Sequence, residues 1–303
     1  MAKQAVATVT ADVPAYLKEM EGAPAALDDN FDSDDLILPR IALLQGTSDR
    51  CKNYDEAVPG KFWHTGFDCV VDPLKFVIAQ RHKRVLLLAP MSDGRGTLSR
   101  AEDATTWDRT GAWEVILDRK TGRSTVWEIT DTNVVRSGLL EWGTSDPEFP
   151  ESPPAATIFY DYACLFPERP ELGMAVISLA RSAIKRAKQG LNDKIALHAS
   201  NGRPMQSLVF EAQTSVDTNE FGDYYNWRFV SAGFASEAVY SEALNSAEMM
   251  KQFKVANEEE VVTESDGGSP SPVAGGGGAP SHPGTAAPPA DDGPDPLDSE
   301  IPF

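Results

Sequence analysis

The sequence predicts a β-rich α+β fold, most economically a partly open barrel of the OB type with an extra hairpin or further strands and one or two helices. Three observations predict it. Seven or eight short runs rich in β-branched and aromatic residues are separated by Gly, Pro, Asp and Asn clusters. Between 36 and 256 only two stretches, 181–188 and 236–254, carry a helical pattern. One pair of runs alternates on both arms of a glycine-closed turn, as a hairpin should. The strands outnumber those an OB barrel needs, so an added hairpin and a flanking second sheet both fit.

Taken in order, 36–44 (Leu-Ile-Leu-Pro-Arg-Ile-Ala-Leu-Leu) is apolar but carries Pro39, which has no N–H to give a ladder. It reads as an edge strand or an extended lead-in. Pro59-Gly60 is a turn. Runs 67–71 and 74–79 are strands split by Asp72-Pro73, and 85–89 is a continuous apolar run suited to burial on both faces. Arg81-His82-Lys83-Arg84 lies between two of these strands. The hairpin is 112–118 with 123–129, closed by Arg119-Lys120-Thr121-Gly122. Runs 157–166 and 173–179 follow as strands. Residues 181–188 are helical by propensity, and Gly190 should interrupt or end that helix. Runs 207–214 and 224–230 pair across a polar loop at 217–223. The amphipathic helix 236–254 has Ser236 as its cap and Glu237 in its first turn.

Composition divides the chain into three parts. Residues 1–35 hold two Lys against eight Asp/Glu, a balance of −6, and read as an acidic mobile arm with a short helical pattern near 15–20. Residues 257–303 hold ten Asp/Glu and no Lys or Arg, a balance of −10, in a Gly/Pro-rich linker and acidic tail that composition predicts to be disordered. The body, 36–256, carries the remaining 25 basic and 28 acidic residues and is nearly neutral. The total of −19 therefore does not exclude nucleic acid, because local basic patches on a near-neutral body can still hold a phosphate backbone. A body of about 220 residues is long enough for its own core. Cys51, Cys69 and Cys164 are odd in number and form no CxxC pair, which fits free thiols in a reducing cytoplasm. A signal-peptide core and a membrane-length apolar run are both missing from the sequence, so secretion and membrane association are not expected.

Single-strand binding needs cations along the backbone and aromatic faces for the bases. The basic candidates are Lys61, Arg81, Lys83, Arg84 and Arg228, with Arg181, Lys185 and Lys188 at i, i+4 and i+7 on one helical stripe and Arg186 off it. The aromatic candidates are Trp63, Tyr160 and Tyr224. On a strand, Tyr224, Asn226 and Arg228 share one face, while Tyr225, Trp227 and Phe229 share the other. Solvated surface charge and core packing are the competing readings of these cations and rings. No phosphate-loop, dinucleotide, hydrolase-elbow or zinc-protease motif occurs, and the histidines are too scattered for a ligand pair. Neither an enzyme, nor a metal site, nor a cofactor is expected. Asp93-Gly94-Arg95-Gly96 reads as a turn.

The chain ends Asp295-Pro296-Leu297-Asp298-Ser299-Glu300-Ile301-Pro302-Phe303, an acidic peptide with a terminal aromatic. It resembles the tail of bacterial single-stranded DNA-binding proteins, although Ser299 interrupts the acidic run. The resemblance implies that Asp298, Glu300, Ile301, Pro302 and Phe303 dock replication, recombination or repair proteins, with Phe303 filling a small basic pocket. The segments Leu-Pro-Arg-Ile-Ala-Leu-Leu-Gln-Gly and Pro-Gly-Lys-Phe-Trp-His-Thr-Gly look more like bacteriophage-encoded proteins of replication and recombination modules, which implies a host-cell cytoplasmic location. Three functions compete. The first is a single-stranded DNA-binding protein that protects DNA and recruits partners through its tail. The second is a decoy that mimics such a tail and binds host proteins without DNA, and the third is a virion structural protein. A homo-oligomer is compatible with each.

Overall fold

A computed structural model describes residues 38–219 and 222–252 of the chain. The predicted N-terminal arm, linker and tail, including the five tail residues from Asp298 to Phe303, lie outside the described residues. Within them the fold is β-rich α+β. β1 (Ile41–Leu43), β2 (Phe62–His64) and β3 (Cys69–Val70) form a small antiparallel sheet. The main sheet is built on β4 (Leu74–Leu88), with β5 (Thr97–Ala101), β8 (Ala156–Leu165), β9 (Ala175–Ala180), β10 (Leu208–Asn219) and β11 (Gly222–Phe234). Its order is β11-β10-β4-β8-β9, with β5 also on β4, and every pairing is antiparallel. The predicted hairpin is β6 (Gly111–Asp118) with β7 (Arg123–Ile129), in register Trp113 opposite Trp127. Helices are few: α1 (Arg50–Asn53), α2 (Ser182–Ala187), α3 (Asp193–Ala199) and α4 (Glu237–Gln252).

One face of the main sheet carries Phe76, Ile78, Tyr162, Cys164, Ile177 and Leu179. Ala183 and Ala187 of α2 pack over it with Leu191 of the π-helical turn Lys188–Asn192, and Trp227 and Phe229 of β11 complete the cluster. The other face buries Val77, Ala79 and Leu165 beneath Val239 and Ala243 of α4. A further cluster joins the end of β4 (Val85, Leu87) to Leu98, Trp107, Val115, Trp127 and Ile129.

The sheets do not close into a barrel. Closure is approached through β1. Arg40 forms a parallel bridge with Val176 of β9, and the Gln45 side chain donates to the Tyr225 carbonyl at 2.9 Å and accepts from its N–H at 3.0 Å. Pairing stops there because the chain leaves β9 at Arg181, which has φ +50°, and winds into α2.

Several elements differ from the sequence expectation. The strands expected at 74–79 and 85–89 are one strand of 15 residues that runs straight through Arg81-His82-Lys83-Arg84. The 67–71 strand shortens to Cys69–Val70, while Phe62–His64 and Thr97–Ala101 are strands that the patterns did not reveal. The polar loop at 217–223 is mostly ladder, paired out to Asn219 opposite Gly222. Gly190 does interrupt the helix, as a π turn rather than an end. Ser236 caps α4 by accepting the Val239 N–H at 3.4 Å.

Candidate functional site

A bulge between Ile78 and Gln80 shifts the alternation of β4 by one residue. Beyond it Arg81 and Lys83 stand opposite Tyr162 and Tyr160 of β8, on the face that also bears Ile78. The Arg81 guanidinium lies over the Tyr160 ring, 5.2 Å from its centroid. The Tyr162 hydroxyl donates to Asn192 Oδ1 at 2.9 Å, and burial raises its pKa so that it stays a neutral donor. That bond ties the π turn to β8 and brings Lys188 towards β4. The Lys83 ammonium has its pKa lowered by loss of solvent first and by the charges of Arg81 and Lys188 next. Cations from two elements distant in sequence are thus crowded together.

Several other basic groups of the body are answered by a carboxylate. Lys61 pairs with Asp72, Lys75 with Glu168 (2.7 Å), Arg123 with Asp146, and Arg186 with Asp217 (2.7 and 3.0 Å). Among the described residues Arg81, Lys83, Lys185 and Lys188 make no such pair. Like charges gathered without a counter-ion raise the local potential, and an anion placed among them relieves it.

The other predicted residues fall into three groups. In and beside α2, Arg181, Ser182, Lys185 and Lys188 are exposed, with Ala183 and Ala187 turned inward. Tyr224 is half-buried and Arg228 exposed on the mixed face of β11, while Trp227 and Phe229 are core. Tyr224 and Arg181 also line a small cleft of about 80 Å³ between β1, α2 and β11, with Gln45, Ser178 and Asn226. The third group needs correction. Trp63 is 0% exposed, packed with Leu44, Ala57 and the Tyr54 ring, and offers no surface for a base. Arg84 is 1% exposed and bound to Asp161, which also accepts from Ser178 Oγ, so its charge is spent inside the protein. Tyr160 is 7% exposed, most of its ring lost to the core and to Arg81. Lys61 is exposed but engaged by Asp72.

The tie between Tyr162 and Asn192 has no sequence signal, since it joins residues thirty positions apart. Trp142, 65% exposed, was likewise not among the aromatic candidates. Among the described residues no group of three or more His, Cys, Asp or Glu is placed to hold a metal ion, and no helix is long and apolar enough to cross a membrane. The loop at Asp93 is a turn, with Gly94 and Gly96 at φ +84° and +75°.

A model of the Pam3 phage gp34-like protein family matches residues 3–256. The chain belongs to this phage protein family. The match to the gp34-like family ends at Ala256, the last residue before the acidic segment, but it includes most of the acidic N-terminal part. No curated protein and no solved structure matches the chain.

Proposed function

We propose that this gp34-like phage protein binds single-stranded DNA, with phosphates seated at Arg81, Lys83 and Lys188 and continuing along Lys185 towards Arg181. The observation that supports the reading is the crowding of Lys83 by Arg81 and Lys188, three cations from two segments that make no ion pair with a carboxylate among the described residues, whereas Arg84, His82 and Arg186 beside them do. A near-neutral body and a phage family fit a protein that handles replicating or recombining DNA. With Trp63 and Tyr160 packed inside, phosphate contacts outweigh base stacking, and Tyr224 and Arg228 serve as the accessible platform. The acidic tail recruits replication, recombination or repair proteins, in the manner its resemblance implies.

Fluorescence anisotropy with labelled oligo-dT tests this. Three phosphate contacts on a single strand give a slope of about −2 in log affinity against log salt. Lys83→Glu with Lys188→Glu should weaken binding by about tenfold or more at low salt. Lys52→Glu, which alters a lysine already paired with Asp49, should leave it nearly unchanged. No binding in dilute buffer, or equal loss in both variants, overturns the proposal.

A further inference from the structure

Among the described residues the middle of β4 has a strand partner on one edge only. β8 pairs with it from Val77 to Leu87. On the other edge β10 pairs with Leu74 through Val77 and β5 with Val85 through Leu88. Between these two partners the Ala79 carbonyl accepts from the Gln206 side chain at 3.0 Å, and no strand among the described residues fills the lane beside 80–84. Three consecutive residues there, Arg81, His82 and Lys83, are all exposed, as they could not be in a strand flanked on both sides and covered on both faces.

We propose that this gap takes an extended acidic peptide from a partner protein, added as a short strand between β10 and β5. An unpaired strand edge presents a row of N–H and C=O groups that a second peptide backbone matches and a sugar–phosphate backbone does not. Side chains on one face of neighbouring strands lie about 5 Å apart, so carboxylates at alternate peptide positions meet Arg81 and Lys83. There they supply the counter-charge that Lys83, crowded by Arg81 and Lys188, does not get from the described residues. The intervening peptide side chain falls on the side of His82, whose Nε2 lies 3.4 Å from Glu102 just past β5, so that position takes an uncharged residue. The lane is bounded by β10 and β5, which limits the paired segment to about four or five residues at roughly 3.4 Å each. Because the peptide uses Arg81 and Lys83, it excludes phosphate from them. That regulatory consequence, and nothing else in the inference, rests on the nucleic-acid reading above.

The test uses the full chain and a fluorescein-labelled hexapeptide alternating Thr and Glu. Two analogues carry backbone N-methyl groups on one or the other alternate set of residues, which keeps the charge and removes one row of donors. The parent peptide should bind and slow amide exchange within 80–84 several-fold. One analogue should lose about tenfold or more in affinity and the other little, since only one row faces β4. Equal binding of all three peptides would reduce the effect to charge and overturn the proposal. So would an absence of protection at 80–84, or protection of those amides by oligo-dT and not by peptide. A peptide that protects 80–84 on a protein that fails to bind oligo-dT would sink the nucleic-acid reading and leave the strand addition standing.

Discussion

His64 on β2 has no exposed surface, and its Nδ1 accepts the Phe67 N–H at 3.2 Å. Burial lowers its pKa from 6.5 to about 4, with the Arg169 charge adding to the effect and the Leu172 carbonyl and Asp68 opposing it. The folded protein thus binds this proton less readily than the unfolded chain. Stability from neutral His64 is fully present above pH 6.5 and is lost as pH falls towards 4, by up to about 3 kcal/mol. Urea unfolding at pH 7 and pH 4.5 should show a smaller acid loss for His64→Gln than for the parent. An equal loss would place the acid sensitivity in other groups. The same residue-level physics separates Arg84 from its neighbours Arg81 and Lys83. Their sequence reads as one basic cluster, but alternation sends Arg84 to the face where Asp161 waits, 77 residues away. No local pattern records that carboxylate, so charge spacing alone could not say which cations stay available.

The β6–β7 hairpin was legible because both arms alternate and Gly122, at φ +71°, closes the turn. β4 was legible only at its apolar ends. Its charged middle is tolerated as strand because one edge is open and Arg84 is neutralised by Asp161, both long-range facts. The helical run from α2 to α3 shows the converse, a local signal with a tertiary cause. Gly190 marks a break in helical propensity, and the break is a π turn pressed onto β11. A Cβ on Gly190 would meet the Phe229 Cβ at 2.7 Å and its carbonyl oxygen at 3.0 Å. Ala is the better helix former, yet Gly190→Ala should destabilise the protein by about 1–3 kcal/mol because Phe229 sits in the core cluster and its backbone has nowhere to yield. Since the π turn also positions Lys188, oligo-dT binding should weaken alongside. A urea midpoint equal to or above the parent's would show that propensity wins over the contact.

At the scale of the whole chain, charge is the informative property, and it is unevenly spread: the body is nearly neutral, while 257–303 carries ten carboxylates and no cation. Composition shifts after Ala256, and the family match covers residues 3–256. The barrel was not legible in the sequence: the sheets do not close, and the chain leaves β9 at Arg181 in a backbone conformation, φ +50°, that no pattern announces. A tethered polyanion meets cations of its own chain at an effective concentration of the order of millimolar, without a partner being present. If the unpaired cations around Lys83 hold phosphate, the C-terminal carboxylates compete for them. Truncation after Ala256 should then tighten oligo-dT binding by several-fold in dilute buffer, where the Debye length is long. The gain should shrink at 0.15 M salt, where it is about 8 Å. Anisotropy titrations of both proteins at the two ionic strengths decide it, and unchanged or weaker binding by the truncated chain would mean that its acidic end does not contend with DNA for the basic face.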